Sequence, residues 1–262
     1  MLEAAHRTHG RLPWARLFDP AIALAENGFA IGARLHQQLE TDRFLHDDPI
    51  ARGLYYTEAG HALAVGTMLR NPEYAAVLRE IAVHGADAFY RGATARAIVA
   101  AVRQHPRNPG LLAESDLAGY SAIRRDAICT DWGARRVCGM PPPSSGFIAI
   151  AQILGIAEGW KVSFAARNRY VAAPPFVAPP GGSWTSLIAP AYLAQRAALI
   201  GPRAMEGAPP GVPPGAKAAY ATDISPEGPS TSQLAAVDAR GQTVAMTSSI
   251  EQQFGARLMV NR

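Results

Sequence analysis

The chain has 262 residues, 48% of them apolar and 18% charged, with a formal net charge of +4. That length and balance describe one large folded domain or two small ones and exclude a disordered chain. The arginine pairs Arg124-Arg125 and Arg135-Arg136 sit among apolar residues and aspartates, too diffuse a charge to track a phosphate backbone, so nucleic acid is not an expected partner.

In chain order, the first residues, MLEAAHRTHGRLPW, read as chain entered mid-helix and not as a signal peptide. Pro20 opens a helix that Gly28 closes, the usual asymmetry of proline inside the start and glycine past the end. Asn71 caps a second helix with Pro72 in its first turn. Tyr74, Val77, Leu78 and Ile81 recur there at helical spacing until Gly85. A third helix runs from about Thr94 to Gln104 with Ile98 and Val102 inward, and Ser115 to Tyr120 is a short capped helix or turn. AICTDWGARRVCGM suggests one or two strands around a Trp132-Gly133 turn. MPPPSSGFIAIAQIL gives a rigid polyproline segment, a small-residue loop and an apolar helix. One more helix lies around PAYLAQRAALI, and Ala204 to Gly228 reads as an exposed, mobile linker. No run of about 18 apolar residues spans a membrane.

Cys129 and Cys138 lack histidine partners at metal spacing, and the close pair His6 and His9 has nothing beside it to complete a ligand set, so no metal site is expected. The cysteines read first as buried thiols, with a Cys129–Cys138 bridge as the alternative in an exported protein.

The segment GPSTSQLAAVDARGQTVAMTSSI carries the chemistry. Thr231 to Asp238 and Gln242 to Ser249 are strand-like runs joined by a short turn. A two-residue loop would place Thr231 opposite Ser248, and a three-residue loop with Gly241 left-handed would place it opposite Ser249. Opposed side chains lie about 5 Å apart at Cβ, so either register brings a second hydroxyl to Thr231. Leu234, Ala236, Val237, Val244, Ala245 and Met246 make both faces apolar, as in inner strands of a covered sheet. A threonine hydroxyl needs a base to take its proton. One economical base is the residue's own α-amino group, free only once the preceding bond is cut.

LPWARLFDPAIALAENGF, NPEYAAVLREIAVHGADAFYRGATARAI, LLAESDLAGYSA, VCGMPPPSSG with AQIL, and TSQLAAVDARGQTVAMTSSIEQQFGARLMV, in this order, resemble the γ-glutamyltranspeptidase family of N-terminal-nucleophile hydrolases. The resemblance implies an αββα sandwich, here mainly the helical large-subunit part (1–230) plus the first hairpin of the small subunit (231–262). It implies a precursor that cuts itself between Ser230 and Thr231, with Thr231 as nucleophile toward a γ-glutamyl amide such as glutathione. The acyl group then passes to water or an amine acceptor. Ser249 falls at the helper-hydroxyl position, where most relatives have threonine. Glu251 falls at a position that binds the amino-acid end of the substrate, its carboxylate suiting an α-ammonium group. No metal or organic cofactor is implied, and full-length relatives are expected to be periplasmic or extracellular.

The same resemblance puts further substrate ligands, a serine pair and a Gly-Gly oxyanion hole after Arg262, and a carboxylate-gripping arginine before Met1. Ala166 and Ala173 stand where the family has aspartates, Phe147 replaces the second glycine of PPPSSGG, and the connection between Ile156 and Ala157 is shortened. A non-catalytic remnant of such an enzyme is therefore the alternative. A serine hydrolase using Ser144 or Ser145 is disfavoured because PPPSSGF lacks a G-x-S-x-G elbow.

Overall fold

A computed structural model describes residues 1–156, 160–203, 205–217, 220–223 and 231–260. It forms two compact units, Met1–Ala122 with Glu227–Arg262, and Ile123–Pro226.

The first unit is a set of helices with two small ladders. In order come α1 (Leu2–His9), α2 (Asp19–Asn27), β1 (Phe29–Ala30), α3 (Ala33–Thr41), α4 (Pro49–Tyr55), β2 (Met68–Leu69), α5 (Pro72–His84), α6 (Asp87–Tyr90), α7 (Gly92–Arg103) and α8 (Glu114–Ala118). The punctuation works as the sequence predicts. Gly28 ends α2 with φ 89°, a conformation L side chains avoid. Asn71 Oδ1 accepts from Tyr74 N at 2.9 Å and caps α5. The period of α5 is less faithful. Ala75, Leu78 and Ala82 are its buried residues, while Tyr74 is 54% exposed. In α7 the fully buried positions are Thr94 and Ala95, with Ile98 and Val102 only half-buried.

Leu39, Leu45, Ala51 and Tyr56 form a core in this unit, and Phe254 and Met259 pack against it from the end of the chain. Polar bonds reinforce the seam. Asp48 caps α4 by accepting from Ala51 N at 2.8 Å, and its other oxygen accepts from Met259 N at 3.3 Å.

The second unit holds β3 (Ile128–Trp132) and β4 (Arg135–Gly139), then α9 (Gly146–Ile156), α10 (Trp160–Tyr170) and α11 (Pro190–Ala197). The β3–β4 hairpin pairs Cys129 with Cys138, and the two form a disulfide with Cα atoms 4.1 Å apart. This corrects the expectation of buried thiols: Cys138 is exposed and Cys129 half-buried, and the antiparallel register sets them directly opposite. Ile148, Ala166, Tyr170, Leu187 and Tyr192 make the core. Ala166 is 1% exposed there, a position where an aspartate would need a partner. Phe147, 5% exposed, lies over Gly139, where an added Cβ would come within 2.5 Å of its ring.

A second correction concerns the supposed linker. Tyr170 Oη donates to Gly211 O at 2.5 Å, Tyr192 Oη to Pro210 O at 2.6 Å, and Arg196 to Pro209 O. Three donors thus grip three consecutive carbonyls, and Pro213 is fully buried. The linker is thus held at 209–213, although residues such as Val212 stay exposed; Ala204, 218–219 and 224–228 lie outside the described residues.

β5 (Thr231–Val237) and β6 (Thr243–Ser249) close the element order and belong to the first unit. Their covered sheet is not found. Among the described residues they pair only with each other, and Leu234 and Val244 are 56% and 59% exposed. The apolar pattern asks for flanking layers that no described segment supplies.

Candidate active site

The hairpin turn decides what meets Thr231. Asp238 N donates to Gln242 O at 2.9 Å and Gly241 N to Asp238 O at 3.0 Å, with Gly241 at φ 78°. The Asp238 carboxylate accepts from Arg240 N and Gln242 N at 2.9 and 2.8 Å, which locks the loop at three residues, 239–241. The register that follows pairs Thr231 with Ser249. Counting by twos from the hydrogen-bonded pair Asp238–Gln242 puts Thr231–Ser249 at a non-hydrogen-bonded position, where opposed side chains approach most closely. Thr247 Oγ1 donates to Gln233 Oε1 across the neighbouring such pair, on the same face.

Glu251 follows at φ 70°, and its amide donates to Ser249 Oγ at 3.2 Å. The left-handed backbone costs a non-glycine residue on the order of 1 kcal/mol and turns the chain sharply off β6. Of the four predicted site residues, the structure brings Thr231, Ser249 and Glu251 to one end of the hairpin. Ser230 lies outside the described residues, as does Ala157 of the shortened connection. Ser145, before α9, has its hydroxyl oxygen taken by Arg167 Nε at 3.1 Å.

Two features were missed by sequence reasoning. One is a cavity of about 550 Å³ between α3 and the hairpin, lined by Arg34, Gln38, Thr231, Ser232 and Ser248 among others. The other is the pair Asp42–Arg257. The Asp42 carboxylate is fully buried and accepts from Phe44 N, Leu45 N and Arg257 Nε, and the Arg257 guanidinium lies 5.6 Å from the Phe44 ring centroid. Sequence signals were slight: Arg34 and Gln38 share a helix face at i, i+4, and nothing local links residues 42 and 257. Among the described residues no cluster of three or more His, Cys, Asp or Glu is placed to hold a metal ion, and no helix is long and apolar enough to cross a membrane.

The family profile described as Gamma-glutamyltranspeptidase matches residues 1–262. The chain is 33% identical over 281 residues to a glutathione hydrolase proenzyme of Pseudomonas aeruginosa, covering 98% of this chain and 46% of the relative. It is 32% identical over 268 residues to an acylase ACY 1 proenzyme of a Pseudomonas species, covering 94% of this chain and 45% of the relative. The chain thus spans about half the length of the curated relatives it matches. The crystal structure of Helicobacter pylori gamma-glutamyltranspeptidase superposes with a TM-score of 0.68 at 26% identity, over 81% of this chain and 65% of that one. The fold is that of the αββα N-terminal-nucleophile hydrolases, represented here mainly by helices and one hairpin.

Proposed function

The chain belongs to the γ-glutamyltranspeptidase family, a family of enzymes, and from that premise we propose that Thr231 is the nucleophile of a γ-glutamyl transfer or hydrolysis. Cleavage between Ser230 and Thr231 frees the Thr231 α-amino group. That amine takes the proton from its own hydroxyl as Oγ1 attacks the γ-carbonyl of a γ-glutamyl amide. The amine of the donor leaves with that proton, and water or a second amine accepts the acyl group from the ester. Ser249, directly opposite, hydrogen-bonds the nucleophile, and Glu251 pairs with the α-ammonium of the γ-glutamyl group. The parts of the large and small subunits present here, 1–230 and 231–262, would remain associated through the seam of Phe254, Arg257 and Met259.

The observation that carries this reading is the register: a threonine at the first position of β5 meets a serine at the last position of β6. The experiment is the intact mass of the purified protein after incubation, beside Thr231→Ala. Two fragments splitting at Ser230–Thr231, with the control uncut, are expected. A single uncut mass in both would sink the assignment.

The buried Ala166, 1% exposed where the resemblance puts an aspartate, favours a second reading, a non-catalytic remnant of such an enzyme. The same mass experiment separates the two.

A further inference from the structure

We propose that the Cys129–Cys138 bridge is a thiol-exchange site, at which a small monothiol of the glutathione class forms a mixed disulfide with Cys138. The bridge belongs to the second unit and Thr231 to the first. Only the choice of thiol rests on the function proposed above, under which a γ-glutamyl thiol peptide is the protein's own substrate.

Position decides access. Side chains alternate along β3 and β4, so Cys129, Asp131, Arg136 and Cys138 share one face of the ladder, and Ile128, Thr130, Val137 and Gly139 the other. The second face is the one that meets α9, since a Cβ at Gly139 would lie 2.5 Å from the Phe147 ring. Val137 is accordingly half-buried, while Arg136 and Cys138 are exposed. The bridge therefore looks away from the core, and Cys138 is the half of it that a reagent in solution reaches. Asp131 and Arg136, opposed across the ladder, put one charge of each sign beside it, so neither an anionic nor a cationic thiol is turned away.

Little of the fold depends on the bridge. A disulfide constrains the unfolded chain most when it closes a long loop. This one joins residues nine apart, in a hairpin that the Gly133-Ala134 turn, with Gly133 at φ 58°, already closes. What the register does give is reversibility. Cα atoms 4.1 Å apart match the closer, non-hydrogen-bonded kind of antiparallel pair, so the two sulfurs stay within reach of each other once the bridge opens.

The exchange balances without an outside oxidant. The thiolate of the small thiol attacks Cys138 Sγ and forms a new S–S bond. The bond to Cys129 Sγ breaks, and Cys129 leaves as a thiolate that takes a proton from water. In the reverse step the Cys129 thiolate attacks Cys138 Sγ, restores the bridge and expels the small thiol. One disulfide is present at every stage.

The test uses the full chain carrying Thr231→Ala, so that the thiol peptide is not consumed. The folded protein is incubated with reduced glutathione and a small share of the oxidised form, trapped by alkylation at intervals and mapped by peptide mass. The same chain unfolded in urea runs beside it. A glutathione adduct on Cys138 with Cys129 alkylated is expected, and the bridge should open in the folded chain within about tenfold of its rate in urea. Cys138→Ser should lose the adduct, and Cys129→Ser should keep it. Opening slower than that margin, or an adduct that follows Cys129 instead, overturns the site. Neither result touches the assignment of Thr231, and an uncut chain in the earlier mass experiment would leave the exchange site standing.

Discussion

Arg257 Nε lies 2.8 and 2.7 Å from the two carboxylate oxygens of Asp42, 215 residues away in sequence. Arg257 reaches it from a left-handed backbone, φ 54°, a strained posture that only a worthwhile contact sustains. Removing the guanidinium strands a buried carboxylate with two amides. Arg257→Ala is therefore expected to lower unfolding free energy by about 2 kcal/mol, read as a shift in the urea midpoint. An unchanged midpoint would mean the contact is idle.

Burial pushes the Asp42 carboxyl up. The amides of Phe44 and Leu45 and the Arg257 guanidinium outweigh it and hold the group below its ordinary value of 3.8. A depressed native pKa stabilises the fold at pH above the unfolded value, and that contribution disappears as pH falls through the native one. Urea midpoints measured from pH 5 down to 2 should fall more steeply for the parent protein than for Asp42→Asn. Parallel curves would count against the linkage.

If Ser249 supports Thr231 by one hydrogen bond, its loss is worth about 1.4 kcal/mol in the transition state, or about tenfold in rate. Ser249→Ala should lengthen the half-time of cleavage before Thr231 by about that factor, while Ser249→Thr restores it. Equal half-times for parent and alanine variant would leave Ser249 a strand residue only.

Burial raises the Tyr192 hydroxyl to about 12, with its proton donated to Pro210 O. A raised native pKa stabilises below the unfolded value near 10 and is lost as pH climbs through 12. Ultraviolet titration should show one phenol ionising near that upper value, absent in Tyr192→Phe. The substitution should also cost about 1 kcal/mol by leaving the half-buried Pro210 carbonyl without its donor. A phenol titration indistinguishable from that of Tyr192→Phe would refute the placement.

What was legible in the sequence was local. Asn71, Pro72 and Gly85 announce α5 because capping is settled within three or four residues. The turn chemistry narrowed the partner of Thr231 to Ser248 or Ser249, and the Asp238 carboxylate, which accepts from Arg240 N and Gln242 N, decides for Ser249. Tyr74 misled because a period marks a stripe but not which of its members the neighbours cover; small Ala75 and Ala82 took the buried face. The grip of Tyr170, Tyr192 and Arg196 on Pro209–Gly211 was invisible for another reason. A proline-rich run looks the same whether solvated or held, and the holding donors sit 13 to 41 residues away. Asp42 and Arg257 left no trace at all, because complementarity across 215 residues has neither period nor cap.

Among the described residues β5 and β6 pair only with each other, and that has a colloidal consequence. Each strand is seven residues long and turns one whole flank of amide and carbonyl groups toward solvent, beside exposed Leu234, Val237 and Val244. Such a ribbon adds further strands from any chain that offers them, including copies of itself. Light scattering by the purified protein should therefore grow more steeply than its concentration, and a charged residue at Val244 should flatten that growth.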